Sequence, residues 1–483
     1  MDIRNLTLMT DLYELTMMQG YYFTGKQQTV IFDLFYRKNP SNGSYAIMAG
    51  LKQAIDYINN LSFSKEDISY LKDIGCFQKE FLEFLEQFKF SGNIYAIPEG
   101  SVIFPQEPLL KIVAPVMEAQ LIETALLNII SHQCLIATKA SRIAWAADKK
   151  PIIEMGLRRA QGPDAGIYGA RAAVIGGCHA TSNVLAGKMF HIPVSGTHGH
   201  SWIMSFPSEY DAFLAYAKLY PDNCILLADT YDTLKSGVPN AIRVFQELQQ
   251  CSRLPDHYGI RLDSGDLAYL SKQARKLLDD AGFTNALICA SSDLDEYLID
   301  SLNAQKAAID LWGVGTNLIT SKEHPSFGGV YKLAAVKSDG TFLPKIKHSE
   351  NSEKISTPGN KDIYRVYEKS TGKIKAELIA LEEEEFSEAS DLLLFDPVET
   401  WKKTLLPKGS FTLRKMLVPI FENGVCVYSS PTVMKIQDYC RQELSTLWDE
   451  SRRLIHPHPI YVDLSQKLYD MKTELLANSK KKP

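Results

Sequence analysis

The chain has 483 residues, of which 45% are hydrophobic and 23% are charged, and its formal net charge at pH 7 is −5. This balance is typical of a globular protein and excludes binding to nucleic acid or anionic membranes through an overall positive charge. The length predicts two or three domains. The eight cysteines include no C-x-x-C pair, which argues against a zinc module and against a small disulfide scaffold.

The sequence shows no pattern that is typical of secretion or membrane insertion. Asp2, Arg4, Asp11 and Glu14 interrupt the N-terminus, which therefore lacks the apolar core of a signal peptide. The most apolar long stretch, residues 121–137, contains charged and polar residues and is expected to be a buried helix. We expect a cytoplasmic protein that has neither a membrane nor a nucleic acid as a partner.

The first third of the chain mixes helical and strand patterns. Leu8, Leu12, Leu15 and Met18 recur at helical spacing and predict an amphipathic helix at the start of the chain. The next elements are predicted, in chain order, as a strand at 30–36, helices at 45–59 and 65–88, short strands within 91–114 and two buried helices within 118–147. Residues 1–130 are therefore predicted to form an N-terminal α+β domain.

From residue 151 apolar segments recur every 20–40 residues or so, with helical patterns between them. These predicted strands lie at 152–155, 192–195, 224–228, 259–262, 287–290, 311–314 and 330–336. The segments are apolar throughout rather than alternating, as expected of parallel strands buried on both faces. We therefore predict an α/β fold whose catalytic domain, residues 131–345, is an irregular (β/α) barrel.

The remaining chain, residues 346–483, is predicted to be a C-terminal α+β extension that packs on the N-terminal domain. Residues 364–367 and 373–378 flank a Ser-Thr-Gly turn and predict a hairpin. Residues 437–455 predict a helix.

Polar side chains follow six of the predicted barrel strands. They are Arg158, Arg159 and Gln161; Thr197, His198 and His200; Asp229, Thr230 and Asp232; Arg261, Asp263 and Asp266; Ser291, Ser292 and Asp293; and Gly315, Thr316 and Asn317. Any one of them alone could cap a helix or close a turn. Because the carboxyl ends of barrel strands meet at one rim, the repetition predicts a single active site there.

The residue types indicate an anionic ligand. Arg158, Arg159, Arg171 and Arg261 would form a positive funnel suited to carboxylate and phosphate. The alternative for Arg261 is a structural ion pair with a nearby acid.

Two further sets fit a sugar phosphate. The Ser291-Ser292 and Gly315-Thr316 pairs precede predicted helices, so their amides and hydroxyls could hold a phosphate. Asp263 could orient sugar hydroxyls or coordinate Mg²⁺, as could Asp266 three residues later.

His198 and His200 allow three interpretations. They could be structural, they could bind a metal ion as in metal-dependent barrel hydrolases, or one could be a reactive imidazole held by Asp229 or Asp232. The residues alone lead to an anion-binding barrel with a reactive histidine, and they leave the three interpretations open.

Several segments carry a more specific pattern. They are T-D-L-Y at 10–13, G-L-R-R-A-Q at 156–161, A-T-S-N at 180–183, G-T-H-G-H-S at 196–201, R-L-D-S-G-D at 261–266, G-T at 315–316 and G-G-V-Y-K at 328–332. In order and spacing they resemble the nicotinate phosphoribosyltransferase family, a type II phosphoribosyltransferase family. With the P-G at 358–359, the resemblance covers nearly the whole chain.

The resemblance implies transfer of the phosphoribosyl group of 5-phosphoribosyl-1-diphosphate to nicotinate, which gives nicotinate mononucleotide and diphosphate in NAD biosynthesis. It also implies coupling to ATP hydrolysis through a phosphohistidine. The expected cofactors are therefore ATP and, from the carboxylates described above, Mg²⁺. The position in the motif assigns the phosphohistidine to His200, and His198 fills a variable position.

Residue roles follow from the same resemblance. Thr197 and Arg261 would contact nicotinate, and Tyr13 would stack on its ring from the second subunit of a homodimer whose active site lies at the subunit interface. The groups expected to hold the phosphoribosyl moiety are Arg158, Ser292, Gly315 and Thr316. The catalytic group is expected to comprise His200, Arg261, Asp263 and Asp232.

Two positions bear on the choice of substrate. Related amide-using enzymes have Asp where this chain has Ser182, and a neutral hydroxyl there favours the acid. The family commonly has Phe where this chain has Met155, whose thioether contacts a ring less rigidly. The alternatives are the nicotinamide-specific enzyme, a metal-dependent barrel hydrolase that uses His198 and His200, and an inactive homologue that serves as a binding module.

Overall fold

The structure, a computed structural model, describes residues 5–351 and 354–479. These residues form two compact units. The first comprises the described residues within 1–135, 326–431 and 438–483, and the second comprises residues 136–325 and 432–437. The N-terminal and C-terminal segments thus share one unit, and the finer division into three domains at residues 130 and 345 stays a prediction. Among the described residues, no helix is both long enough and apolar enough to cross a membrane.

The strands, in chain order, are β1 Thr29–Tyr36, β2 Ala46–Ile47, β3 Asn93–Ala96, β4 Val102–Ile103, β5 Leu110–Pro115, β6 Ile152–Glu154, β7 Ala180–Thr181, β8 Cys224–Leu227, β9 Tyr258–Leu262, β10 Leu287–Ala290, β11 Leu311–Val314, β12 Gly329–Ser338, β13 Thr341–Pro344, β14 Lys361–Glu368, β15 Ile374–Leu381, β16 Leu392–Phe395, β17 Lys403–Leu406, β18 Phe411–Lys415, β19 Val418–Glu422, β20 Val425–Cys426 and β21 Tyr461–Leu464.

The helices are α1 Leu12–Phe23, α2 Leu51–Asn59, α3 Lys65–Ile74, α4 Lys79–Leu85, α5 Val116–Leu121, α6 Glu123–Ala146, α7 Pro163–Ile175, α8 Val184–Phe190, α9 His200–Met204, α10 Glu209–Leu219, α11 Val238–Gln250, α12 Leu267–Asp280, α13 Glu296–Ala304, α14 Thr316–Ile319, α15 Val433–Ser445, α16 Asp449–Arg452 and α17 Gln466–Ser479. Short 3₁₀ turns occur at Pro40–Asn42, Leu157–Arg159 and Pro221–Asn223, and a π turn at Thr233–Gly237.

The first unit is built on a seven-stranded sheet in the order β13-β12-β1-β5-β3-β19-β20. Strand β1 pairs antiparallel with both β12 and β5, and seven of its eight residues are buried. The C-terminal strand β19 pairs with β3, so the two ends of the chain complete one sheet. A second, four-stranded sheet has the order β18-β14-β15-β21.

Buried ion pairs join these sheets within the first unit. Lys361 Nζ lies 2.7 Å from Asp33 Oδ2, and both side chains are buried. The guanidinium of Arg365 on β14 pairs with Glu377 and Glu443 and donates to the Val102 carbonyl at 2.6 Å. A buried charge is tolerated when it is paired and hydrogen-bonded, as here.

The second unit contains a parallel sheet in the order β7-β6-β11-β10-β9-β8, with helices α7 to α14 connecting its strands. Its strands are almost entirely buried, as the continuous apolar segments predicted. The sheet curls into a half-barrel, which confirms the predicted α/β fold with an irregular barrel.

Two of the predicted barrel strands were wrong. Residues 192–195 make only an isolated bridge between Val194 and Thr181, and the edge strand is β7 instead. Pro193 has no amide proton to donate to a ladder, which disfavours a regular strand there. Residues 330–336 lie in β12, which pairs antiparallel with β1 in the first unit. An apolar segment predicts a buried strand, but it does not determine which sheet that strand joins.

The other differences lie at element boundaries. Of the helix predicted at 45–59 only α2 is helical, because Gly50 adopts φ 100° and strand β2 precedes it. The helix predicted at 65–88 is divided into α3 and α4 after Gly75, which adopts φ 80°. The helix predicted at 437–455 begins at Val433 and continues as two helices, α15 and α16. The predicted hairpin is confirmed as the antiparallel pair β14 and β15.

Candidate active site

Two adjoining cavities lie at the carboxyl ends of the half-barrel strands. The larger has a volume of about 540 Å³ and the smaller about 180 Å³. Both are lined by Met155, Arg158, Arg261 and Asp263. The larger is also lined by Leu157, Ser182, Gly196, Thr197, His198, Gly199, His200 and Ser201. The smaller is also lined by Arg159, Ser291, Ser292, Asp293, Gly313, Gly315 and Thr316.

The loop after β6 forms a wall that both cavities share. Gly156 begins it, and a Cβ atom at this position would lie only 2.5 Å from the Cβ of Ile319. The glycine therefore lets the loop pack directly against α14, which begins with Thr316. This close approach brings the Arg158 turn beside the start of α14.

A buried carboxylate, Glu154, holds two walls of the larger cavity. Its Oε1 atom accepts a hydrogen bond from the Gly156 amide, and its Oε2 atom accepts one from Thr181 Oγ1 at 2.5 Å. Burial raises the pKa of this carboxyl group. Glu154 thus ties the Arg158 turn to the segment that carries Ser182. The sequence did contain a signal for it, a carboxylate inside an otherwise apolar strand.

His198 is a buried residue of the larger cavity. Its Nε2 atom accepts a hydrogen bond from the Leu227 amide at 3.3 Å, and its ring packs edge-on against Tyr216. Burial, aided by the charge of Arg261, lowers the pKa of His198 to about 4. The imidazole is therefore neutral at pH 7, and its position matches the structural interpretation.

His200 lies at the start of α9 with its side chain 41% exposed. Its Nε2 atom is 3.3 Å from Oδ1 of Asp229. Asp229 therefore occupies the position beside this imidazole. Asp232, which was assigned to the catalytic group, instead caps the turn at Thr233–Gly237, where its Oδ1 accepts from the amides of Leu234 and Lys235. It does not line either cavity.

Arg261 projects from β9 into the space that the two cavities share. Its Nη2 atom donates to the His198 carbonyl at 3.0 Å. Among the described residues, its buried Nε atom has no hydrogen-bond partner and no carboxylate forms an ion pair with Arg158, Arg159 or Arg261. The expected alternative, a structural ion pair of Arg261, is therefore not what the structure contains. Unpaired guanidinium groups at a cavity wall suit an anionic ligand.

The smaller cavity combines two carboxylates, Asp263 and Asp293, with hydroxyl and amide groups. Asp263 Oδ1 accepts from Ser291 Oγ, which fixes the carboxylate between the two cavities. Ser292 adopts φ 97°, a conformation that is costly for a residue with a side chain. Gly315 and Thr316 form the opposite wall at the start of α14.

The remaining candidates lie elsewhere. Asp266 caps α12 by accepting from the Tyr269 amide at 3.0 Å. Arg171 is buried, with its guanidinium 5.8 Å from the centre of the Phe190 ring. Tyr13 belongs to the first unit, where it is 46% exposed on α1.

The geometry does not favour a metal-dependent hydrolase. His198 and His200 make separate contacts, with the Leu227 amide and with Asp229. In the part of the chain that the structure describes, no group of three or more His, Cys, Asp or Glu side chains is arranged to hold a metal ion.

The sequence and the fold were compared with known proteins. The family model described as nicotinate phosphoribosyltransferase N-terminal domain matches residues 8–131, and the C-terminal domain model of that family matches residues 360–472. A nicotinate phosphoribosyltransferase of Bacillus subtilis is 46% identical over 97% of this chain and 95% of its own. One from Dictyostelium discoideum is 35% identical over 96% of this chain and 87% of its own. The crystal structure of human nicotinic acid phosphoribosyltransferase superposes with a TM-score of 0.84 at 29% identity, covering 97% of this chain and 99% of that one.

Proposed function

Because the chain belongs to the nicotinate phosphoribosyltransferase family and transfers a phosphoribosyl group to nicotinate in NAD biosynthesis, we propose that the two adjoining cavities form its active site. One observation carries this assignment. The guanidinium groups of Arg158 and Arg261, which form no ion pair among the described residues, line both cavities together with the carboxylate of Asp263. Arg159 and a second carboxylate, Asp293, line the smaller cavity alone. Such a charge pattern suits one substrate with a carboxylate and another with several phosphates.

The larger cavity is the proposed nicotinate site. Arg261, fixed by the His198 carbonyl, pairs with the substrate carboxylate, while Thr197 offers a hydroxyl. Met155 supplies an apolar contact for the ring. Ser182 is neutral, so it does not repel the negative charge that distinguishes nicotinate from its amide.

The smaller cavity is the proposed site of the phosphoribosyl group. Ser292, Gly315 and Thr316 offer hydroxyl and amide donors to phosphate oxygens, and Arg158 adds positive charge. Asp263 is the residue that would hold Mg²⁺, which often binds through one carboxylate and the phosphates of a substrate. The ion would supply charge neutralisation for the departing diphosphate.

The reaction forms a bond between the pyridine nitrogen and C1 of the ribose, and it breaks the bond from C1 to the diphosphate oxygen. The ring nitrogen brings its own electron pair, so no base is required. The electron pair of the broken bond leaves with diphosphate, and positive charge develops on the ribose. Donors that are already oriented towards the diphosphate stabilise this transition state. Arg158 and the smaller cavity are positioned for that role.

ATP coupling is proposed to run through His200. Asp229 accepts from the Nε2 side of the imidazole, which leaves the Nδ1 lone pair to form the bond to the γ-phosphorus of ATP. The bond from that phosphorus to the bridging oxygen breaks, and ADP leaves with its electron pair. The added negative charge lies at the start of α9, within the larger cavity. Hydrolysis of the phosphohistidine then drives the transfer forward.

The active site is further proposed to be completed by a second copy of the chain. Helix α1 exposes Leu12, Tyr13, Met17 and Phe23, each between 38% and 54%. A cluster of large apolar side chains on one helix is typical of a surface covered by a partner. Tyr13 is the member proposed to stack on the nicotinate ring of the other subunit.

Steady-state kinetics of Arg261→Ala test the assignment. The variant is expected to raise the KM for nicotinate by about 100-fold or more, because a charge-assisted pair contributes about 3 kcal/mol. Arg243→Ala removes an exposed guanidinium that packs on Tyr210 outside both cavities, and it serves as the matched control. An Arg261→Ala enzyme with the wild-type KM would contradict the proposal.

A further inference from the structure

A third cavity, of about 400 Å³, lies in the first unit between β15, β21 and the β16–β17 hairpin. Its polar and aromatic lining includes Asp463, Asp396, Trp448, Tyr461 and Lys402. None of its lining residues belongs to the second unit, whose residues line both cavities of the proposed active site. The family's activity therefore does not account for this cavity.

Asp463 is the unusual residue of this cavity. It is 4% exposed on the edge strand β21, opposite Leu378 of β15. Among the described residues, its carboxylate accepts no hydrogen bond and forms no ion pair. Burial, reinforced by Asp396, raises the pKa of Asp463 to about 6. A buried carboxylate without a partner is costly unless a ligand supplies one.

Other buried carboxylates of the same unit have a partner, which is a backbone hydrogen-bond donor for Glu14 and Glu107 and a cation for two more. Asp33 pairs with Lys361, and Glu377 pairs with Arg365. Asp463 has a similarly small exposed fraction, 4% against 3% for Asp33, but it is open to the cavity, and among the described residues no cation pairs with it. Its environment is apolar on the sheet side and open on the cavity side.

The nearby cations do not neutralise Asp463. Lys402 forms an ion pair with Glu399 and lies over the Trp401 ring. Lys403 lines the cavity from the exposed strand β17, and it too forms no ion pair with Asp463 among the described residues. His458 faces the cavity from an exposed loop and packs edge-on near Tyr461. Lys375 also lines the cavity, from an exposed position on β15. Of the charged side chains in this lining Asp463 is the buried one, whereas the lysines and Asp396 are exposed or half-buried.

Aromatic rings form part of the wall. The Trp448 ring is held by a hydrogen bond from its Nε1 atom to the Ile374 carbonyl at 2.9 Å. Tyr461 lies two residues before Asp463 on β21, so both side chains project from the same face of the sheet. Phe395 is buried at the end of β16. Ring faces beside a carboxylate are suited to an organic cation, through ion pairing and cation–π contacts.

We propose that this cavity binds a small organic cation, an ammonium or guanidinium group on a flat or aliphatic body, with the charge at Asp463 and the body against Trp448 and Tyr461. The ligand would satisfy the carboxylate that the protein leaves unpaired. The site is separate from the nicotinate and phosphoribosyl sites, so it does not depend on the residue roles proposed above.

Isothermal titration calorimetry on the full chain tests the proposal. The probes are phenethylamine and agmatine, with 2-phenylethanol as the uncharged counterpart of the first. At least one amine is expected to bind the wild type at one site per chain, and the alcohol to bind at least about tenfold more weakly. Absence of binding of both amines at millimolar concentration, or equal binding of phenethylamine and the alcohol, overturns the proposal.

Asp463→Asn is expected to weaken amine binding by about tenfold or more. The exposed Asp438→Asn, which affects only a surface pair with Arg441, is the matched control and keeps wild-type affinity. Unchanged binding to Asp463→Asn overturns the proposal. Removing an unpaired buried charge does not endanger folding, and nicotinate turnover by the variant verifies that it is folded.

Proton release gives a second readout that a merely structural Asp463 would not produce. At pH 6 a bound cation favours the ionised carboxylate, so binding releases protons and the measured heat depends on the buffer. The release is expected to vanish at pH 8, where Asp463 is already ionised. Asp463→Asn should show no release at either pH, and the same release by that variant would overturn the placement of the ligand's charge at Asp463.

Discussion

The Nε2 atom of His200 lies 3.3 Å from Oδ1 of Asp229, whose side chain is only 2% exposed. The other oxygen of Asp229 accepts from the Asp263 amide at 3.0 Å and from Ser264 Oγ at 2.5 Å. The loop after β9 therefore fixes the carboxylate, and the carboxylate fixes the imidazole. A histidine held in this way presents one nitrogen to the cavity in a defined direction.

The first prediction concerns phosphorylation of His200. Incubation with γ-labelled ATP is expected to give acid-labile, base-stable label on the wild type and none on His200→Ala. Asp229→Asn should slow labelling on the order of tenfold or more, because the imidazole loses its orienting acceptor. His191→Ala, at an exposed position outside the cavities, is the control and should be labelled normally. Label that persists on His200→Ala would place the phosphohistidine elsewhere.

Ser182 is predicted to govern the choice between acid and amide. Ser182→Asp puts a carboxylate beside the nicotinate carboxylate, which should lower kcat/KM for nicotinate by roughly 100-fold while sparing nicotinamide. Ser182→Ala removes the hydroxyl without adding charge and should keep the preference for the acid. Competition between the two substrates measures the ratio directly. An aspartate variant that still prefers nicotinate would show that Ser182 lies away from the substrate carboxylate.

Glu154 is predicted to be a positioning residue. Glu154→Ala leaves the Gly156 amide and the Thr181 hydroxyl without their acceptor and opens a cavity, at a cost of about 2–4 kcal/mol. The variant should also raise the KM for 5-phosphoribosyl-1-diphosphate, because the Arg158 turn loosens. Glu154→Gln can still accept from Gly156 and should lose far less. Thermal unfolding and steady-state kinetics measure both effects, and equal damage by the two variants would assign the role to the negative charge itself.

At Ser292 the effect of backbone strain on stability can be measured separately from the effect of losing the hydroxyl group. Both Ser292→Gly and Ser292→Ala remove the hydroxyl and should weaken phosphoribosyl binding to a similar extent. Only glycine is comfortable at φ 97°, so the glycine variant should be more stable than the alanine variant by about 1 kcal/mol. The difference in unfolding midpoint tests this. Equal stability of the two variants would mean that the backbone relaxes.

Glu14 should make stability depend on pH. Burial raises its pKa from 4.5 to about 7, although its Oε1 atom accepts from the Thr124 amide at 3.1 Å and hydroxyl at 2.8 Å. A raised carboxyl pKa stabilises the fold at low pH, and that contribution is lost as the pH rises through about 7. The wild type should therefore lose on the order of 3 kcal/mol relative to Glu14→Gln between pH 5 and pH 8. Urea unfolding at each pH measures the unfolding free energy of both proteins. A difference between them that stays constant from pH 5 to pH 8 would contradict the raised pKa of Glu14.

Much of the half-barrel follows from local sequence patterns. Continuous apolar segments predicted β6, β8, β9, β10 and β11 because parallel strands buried on both faces need apolar side chains throughout. The polar residues after these strands predicted which loops meet, since the strand ends share one edge. For the segment at 330–336 the same reasoning predicted a strand but placed it in the wrong sheet. Its partner β1 lies about 300 residues earlier in the chain, and no local pattern encodes such a pairing.

The site shows a similar limit. Arg158, Arg261 and Thr316 line the cavities, as their positions after predicted strands indicated, whereas their roles toward the substrates stay predictions. The choice between Asp229 and Asp232 as the partner of His200 depended on small displacements. Both residues follow β8. Asp229 contacts the His200 imidazole, whereas Asp232 caps the turn at Thr233–Gly237. Only the path of the loop, which depends on tertiary contacts, decides between two carboxylates three residues apart.

Strand β19 has a consequence for how the protein is made. Strand β19, Val418–Glu422, is the neighbour of β3 in the seven-stranded sheet, whose first strand along the chain is β1. During synthesis this sheet therefore stays incomplete until most of the chain has left the ribosome. The unpaired edge of β3 is meanwhile available for non-native pairing, and closure over so long a loop is slow. We therefore expect recovery from denaturant to be slow and sensitive to protein concentration, with aggregation competing until the C-terminal strands arrive.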